Sequence, residues 1–157
     1  MQISSETQKD FDIDRYTGTW YEIAKMPNFP WSRDCDFATA HYTFNKETKT
    51  IDIRNTCLDA NKNVKRESFG TARIPDSRDP SKLKVSFKEM PSIEGDYHLN
   101  WTDYEKYAIV GGPTGQFVWI LSRTETVPKK DFPFLLNKVK SFGYNPDKIF
   151  SSSKFFY

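Results

Sequence analysis

A chain of 157 residues carrying a net charge of +2, with 37% of its residues hydrophobic, suits one domain with a real core and leaves little room for a second. That near-neutral balance gives no footprint for nucleic acid, and no apolar run approaches the roughly 18 residues of a membrane-spanning helix. Aromatic residues make up 16% of the chain, which leans toward β structure around an aromatic-lined interior.

Residues 1–11 are polar and aperiodic and are expected to form a loosely held arm. Met1-Gln2-Ile3-Ser4-Ser5 lacks the apolar core of a signal peptide, so the expectation is either an intracellular protein or a leader replaced by Met1. Ile13–Tyr16 suits a single helical turn. Gly18 then lets the chain bend into a first strand, where Trp20, Glu22 and Ala24 share one face and Tyr21, Ile23 and Lys25 the other. Trp20 is the expected inward anchor. Glu22 is therefore expected inside too, favouring a structural pair with a Lys or Arg over an unpaired carboxyl of raised pKa. The segment that follows sets Met26, Phe29 and Trp31 among Pro27 and Pro30, which prevent ladder pairing, and reads as a lid loop.

Alternation of Ala38, Ala40, Tyr42 and Phe44 against Thr39, His41 and Thr43 marks a half-buried strand over 35–44. A polar connection at 45–49 returns the chain along 50–57, with Ile51, Ile53 and Asn55 inward. Further strands are expected over 65–74 and 82–88, then over 96–101 with Tyr97, Leu99 and Trp101 on one face. Two more follow at 107–110 and 117–123, joined by a glycine-rich hairpin at 111–115 that lacks the Lys-Ser/Thr of a phosphate loop. The lysines flanking Leu83, Val85 and Phe87 form a solvated outer face. One helix is expected, opened by Pro128 and Asp131, carrying Phe132, Leu135, Val139 and Phe142 as its stripe, and stopped by Gly143. About eight short strands followed by one helix describe an all-β, eight-stranded antiparallel up-and-down barrel with the helix packed outside, filling residues 12–157. Eight strands leave an interior able to hold one small ligand.

At this point the chain resembles the lipocalin family, most closely its bacterial outer-membrane lipocalin and apolipoprotein D branch. The match rests on three segments in order: Gly18–Lys25, Thr102–Val110 and Trp119–Arg123. The resemblance implies a scaffold at the closed end of the barrel, with the Arg123 guanidinium stacked on the Trp20 indole and Gly18, Thr102, Asp103 and Tyr104 shaping the turns. It also implies binding and transport or storage of a small hydrophobic ligand such as a fatty acid or lysophospholipid, with a role in membrane maintenance or stress. Trp119, the aromatic that lines the pocket in apolipoprotein D-like proteins, is the first ligand-contact candidate. Tyr42, Phe44, Ile53, Phe87, Tyr97, Leu99 and Trp101 are further inward candidates, and Tyr42, Tyr97 and Asn55 are the polar groups that would orient a headgroup.

The two cysteines do not decide the compartment by number. Hairpin arithmetic about residue 47 sets Cys35 opposite a position near 59, so a small shift or bulge brings it to Cys57, and cysteines placed alike in bacterial lipocalins favour a disulfide. That bridge would point to an extracytoplasmic, oxidising compartment; the alternative is two reduced thiols in a cytoplasmic protein. No catalytic constellation, metal-ligand spacing or cofactor motif is present in the sequence, with His41 and His98 out of phase with the inward aromatics. The chain is expected to act as a monomer or weak dimer and not as an enzyme. A competing reading makes it an interaction module whose apolar lid loop holds a membrane surface or a protein partner. Asn100-Trp101-Thr102 is an acceptor sequence for N-glycosylation with Asn100 expected outward, and it reads as fortuitous.

Overall fold

The period-two alternation builds strands, and the computed structural model, which describes residues 7–26 and 34–157, closes them into a barrel. After a single turn α1 (Ile13–Tyr16) come β1 (Gly18–Met26), β2 (Phe37–Asn45), β3 (Thr50–Leu58), β4 (Val64–Arg73), β5 (Lys82–Phe87), β6 (Met90–Thr102), β7 (Tyr107–Gly111) and β8 (Val118–Ser122). Each of β2 to β8 pairs antiparallel with its neighbours, and β1 pairs with both β8 and β2. Closure leaves no continuous exposed edge. The helix α2 (Phe132–Ser141) follows, ending before Gly143, whose φ of +97° suits glycine.

Beyond residue 21, β1 no longer touches β2, and a short strand β9 (Phe150–Ser151) pairs with Ala24 and Lys25 in its place. The C-terminal segment thus seals a gap in the wall near the end where the β1–β2 connection leaves the barrel.

Two apolar clusters sit on either side of the sheet. The inner one gathers Trp20, Tyr42, Ile51, Ile53, Leu83, Leu99 and Leu121, among others; the outer one sets Ile23, Ile109, Ile120 and Val118 against Leu135, Val139 and Tyr144. Gly111 is needed for that outer packing, since a Cβ there would lie 2.0 Å from the Tyr144 hydroxyl.

The expected loose arm is not loose from residue 7 onward. Gln8 N–H donates to the Leu99 carbonyl at 2.8 Å, Thr102 N–H donates to Gln8 Oε1 at 2.9 Å, and Phe11 packs edge-on against Tyr16. These residues cap one end of the barrel, because Phe11 offers an apolar ring there and Gln8 an amide for otherwise unpaired backbone.

Candidate functional site

The capped end is held by Arg123. Its guanidinium carbon lies 3.8 Å from the centre of the Trp20 ring. Its nitrogens donate to three backbone carbonyls: Tyr104 at 2.9 Å, Thr19 at 3.1 Å and Arg15 at 2.8 Å. Gly18, at φ +101°, comes so close that a Cβ would sit 3.3 Å from that guanidinium. Thr102, Asp103 and Tyr104 form the expected turn: Thr102 Oγ1 accepts from Tyr104 N–H, and Asp103 Oδ1 accepts from the Lys106 and Tyr107 amides at 2.8 Å each. Arginine's fixed fork suits such a bundle of carbonyls.

Above this floor the interior carries both apolar and polar groups. Tyr42, Ile53 and Leu99 are buried in the inner cluster, with Phe44, Phe87, Tyr97 and Trp119 packed against it. Asn55 is half-buried and shares the inward face, sitting opposite Ala40 and Ser68. Three tyrosine hydroxyls form a chain: Tyr16 and Tyr97 meet at 2.5 Å, and Tyr97 donates to Tyr42 at 2.9 Å. Burial pushes all three phenols up, Tyr42 to about 12. Only about 10 Å³ remains free among Tyr16, Tyr42, Ile53, Leu83 and Tyr97, too little for any organic ligand, so this layer is a filled floor.

Four expected placements, two in β1 and two in β6, are corrected by bulges. In β1 the register shifts between Glu22 and Ala24, which turns Ala24 outward into the cluster under α2 and Lys25 inward, opposite Trp119. There Lys25 Nζ meets Glu22 Oε1 at 3.0 Å, the structural pair expected for Glu22. Burial still pushes the Glu22 carboxyl up, and Lys25 opposes the shift. In β6 the register shifts between Leu99 and Trp101, so Trp101 leaves the interior and stacks edge-on against Phe134 of α2. Asn100 is buried by the same bulge, with the Tyr144 hydroxyl donating to its Oδ1 at 2.9 Å, and it is no acceptor for a glycan.

Met26, expected in the lid loop, is 5% exposed and packs in the outer cluster as the last residue of β1. Phe29 and Trp31 lie outside the described residues. At the same end Cys35 and Cys57 form a disulfide with Cα atoms 5.2 Å apart. The β2–β3 register pairs Ala38, not Cys35, with Cys57, so the bridge closes from just ahead of the strand. Arg66 lies against both sulfurs at 3.4 Å and pairs with Asp34 at 2.7 Å. Asp34 with the two cysteines is the only group of potential metal ligands close together among the described residues, and disulfide sulfurs have no thiolate to offer.

The family model for the lipocalin-like domain matches residues 11–154. The chain belongs to the lipocalin family. Among curated lipocalin relatives, temperature-induced lipocalin-1 of Arabidopsis thaliana is 31% identical, covering 92% of this chain and 80% of its own length. Outer membrane lipoprotein Blc of Escherichia coli K12 is 33% identical over 89% of this chain and 77% of its own. Apolipoprotein D of Mus musculus is 31% identical over 93% and 78%. Insecticyanin from the tobacco hornworm Manduca sexta shares the fold with a TM-score of 0.72 at 20% identity, covering 100% of this chain and 92% of its own. Lipocalins bind small hydrophobic ligands in general, and the family is one of binding and transport proteins and not of enzymes. The disulfide is consistent with an oxidising compartment.

Sequence reasoning missed Lys25, Tyr16 and Phe11 as interior residues. The bulge in β1 did leave a signal, since Trp20, Ile23, Ala24 and Met26 break strict alternation.

Proposed function

We propose that this lipocalin binds a single-chain lipid, a fatty acid or lysophospholipid, in the barrel above the tyrosine floor, carrying or storing it in membrane maintenance or stress. One observation carries the reading: Lys25 and Trp119 sit opposite each other on the inward face, a cation beside a large apolar wall. Phe87 and Leu99 extend that wall toward the floor, to which Ile53 and Phe44 belong. Tyr42 and Tyr97, with Asn55, are the groups proposed to orient the headgroup. Each phenol has one proton to donate, and Tyr97 gives its own to Tyr42, so the Tyr42 proton is left for an acceptor above the chain. We place the protein in an extracytoplasmic compartment, as a monomer or weak dimer, with no cofactor.

Titration with a long-chain fatty acid and with a lysophospholipid, followed by tryptophan fluorescence, tests this. Quenching that saturates, and a several-fold weaker affinity in Trp119→Ala, is the expected result. Unchanged affinity in that variant would remove Trp119 from the site.

A further inference from the structure

The last thirty residues differ in charge from everything before them. Positions 128–157 hold six lysines against Asp131 and Asp147, a balance of +4, while the chain as a whole is +2, so residues 1–127 sum to −2. Lys129, Lys130, Lys140 and Lys148 make no ion pair among the described residues. Cation density alone is a solvated face. Here the same stretch also exposes apolar surface: Phe134, Phe150 and Tyr157 are 49%, 54% and 72% exposed.

The fold brings these residues together on one side of the barrel. α2 buries Leu135 and Val139 against the sheet and turns Phe134 outward beside Trp101, while Phe132 stacks on Phe156 of the C-terminal segment at 4.6 Å. Between them lies an open cleft of about 390 Å³, walled by Phe132, Pro133 and Phe156 and rimmed by Lys129, Ser151 and Ser153. The face runs on to the barrel mouth, because Phe150 pairs with Lys25 in β9 and Phe155 packs edge-on against Phe37 at the start of β2.

Exposed aromatics on a lysine-rich face, with Lys138 over the Phe134 ring and Lys129 on the cleft rim, fit an interface with an apolar layer beneath a sheet of negative charge. We propose that α2 and the C-terminal segment form a docking face for an anionic phospholipid bilayer, which holds the barrel on its side with the mouth next to the lipid surface. The aromatics enter the headgroup region, the lysines neutralise lipid phosphates and carboxylates, and the cleft takes a headgroup. The proposal is independent of what the barrel carries.

Co-sedimentation with vesicles of phosphatidylcholine alone, or containing about a third phosphatidylserine, tests it at about 0.1 and 0.5 M salt. Binding only to the anionic vesicles, weakened by salt, is expected. Lys130→Ala with Lys140→Ala and Lys148→Ala should weaken it by roughly five-fold per lysine. Phe134→Ser with Phe150→Ser should weaken binding without altering its salt dependence. Lys9→Ala with Lys46→Ala, two exposed lysines elsewhere, should have little effect. All these positions are on the surface, and circular dichroism checks the fold. Equal binding to neutral vesicles, no binding at all, or loss in the Lys9/Lys46 variant as large as in the helix variant would overturn the proposal. So would a dimer in sedimentation that dissociates in the Phe134/Phe150 variant, since the face would then be covered by a second copy. Lipid uptake by the barrel, read from Trp119 quenching in detergent-free solution, is unchanged in every one of these variants, so failure here leaves the cavity reading standing.

Discussion

Lys25 and Glu22 lie three residues apart on one strand and still meet on its inward face, Nζ to Oε1 at 3.0 Å. A regular strand would send them to opposite sides. The bulge between Glu22 and Ala24 supplies the extra residue that turns Lys25 inward, and the inward cation of this barrel therefore depends on a local irregularity.

The pair makes a pH prediction. Burial raises the Glu22 carboxyl above its usual value of 4.5, with Lys25 acting against that rise. A raised carboxyl favours folding while protonated, so its contribution is present at low pH and lost as pH rises through the raised value. Lys25→Met removes the opposing cation. Denaturant unfolding at a series of pH values should show a steeper loss of stability above pH 4.5 in Lys25→Met than in the parent chain, and none of that excess when Glu22→Gln is added. Superimposable pH profiles for Lys25→Met and the parent would show that the two groups are not coupled.

Much of the fold could be read from the sequence because alternation is unbroken over most strands: 50–57 and 82–88 match β3 and β5 within a residue. The inward and outward placements that went astray, Ala24, Lys25, Asn100 and Trp101, all lie at or beyond a bulge, where one inserted residue reverses the face of those that follow. Trp101 is the instructive case, since nothing in its own chemistry distinguishes a cavity aromatic from one stacked beneath a helix. Nor did the polarity of residues 7–11 reveal their packing, because the half-buried Gln8 is held by its hydrogen bonds and not by apolar area.

Arg123 offers a stability test. Arg123→Lys keeps the charge and loses the fork that serves three carbonyls along with much of the stacking on Trp20. Leaving those acceptors short of donors should cost about 3 kcal/mol. For a chain of this size that lowers Tm by roughly 6–12 °C. Ligand affinity, measured well below the new Tm, should be unchanged, since the residue holds the capped end and does not face the ligand. A variant as stable as the parent would show that the turn holds itself.

Removing residues 1–11 should destabilise the barrel. The deletion strips Gln8 from the Leu99 carbonyl and the Thr102 amide, takes the acceptor of the buried Ser81 hydroxyl, and uncovers Tyr16 by removing Phe11. Phe11→Ala separates the apolar part of that loss and should cost about 2 kcal/mol, less than the roughly 3–5 of a fully buried phenylalanine because the ring is only half-buried. Calorimetry on the two variants decides: an unchanged Tm in the deletion would return these residues to a loose arm.

The tyrosine chain sets the alkaline limit of the fold. Burial and neighbouring phenols raise Tyr16 and Tyr97 well above 10.0 and Tyr42 to about 12. A phenol raised in the folded state contributes stability that is intact below its unfolded value and is lost as pH climbs past it, so stability should hold to about pH 10 and fall from there toward 12. Tyr42→Phe removes the acceptor for the Tyr97 hydroxyl, leaving a buried donor unpaired at a cost of about 1–3 kcal/mol. It also removes the phenol that ionises near 12, which can be followed by tyrosinate absorbance in the folded protein. The expected outcome is a high-pH absorbance step in the parent that shrinks by one tyrosine in Tyr42→Phe, together with a lower Tm at neutral pH. If the parent instead forms all eight tyrosinates by about pH 11 while still folded, the chain of hydroxyls is open to water and cannot serve as the dry floor beneath a ligand.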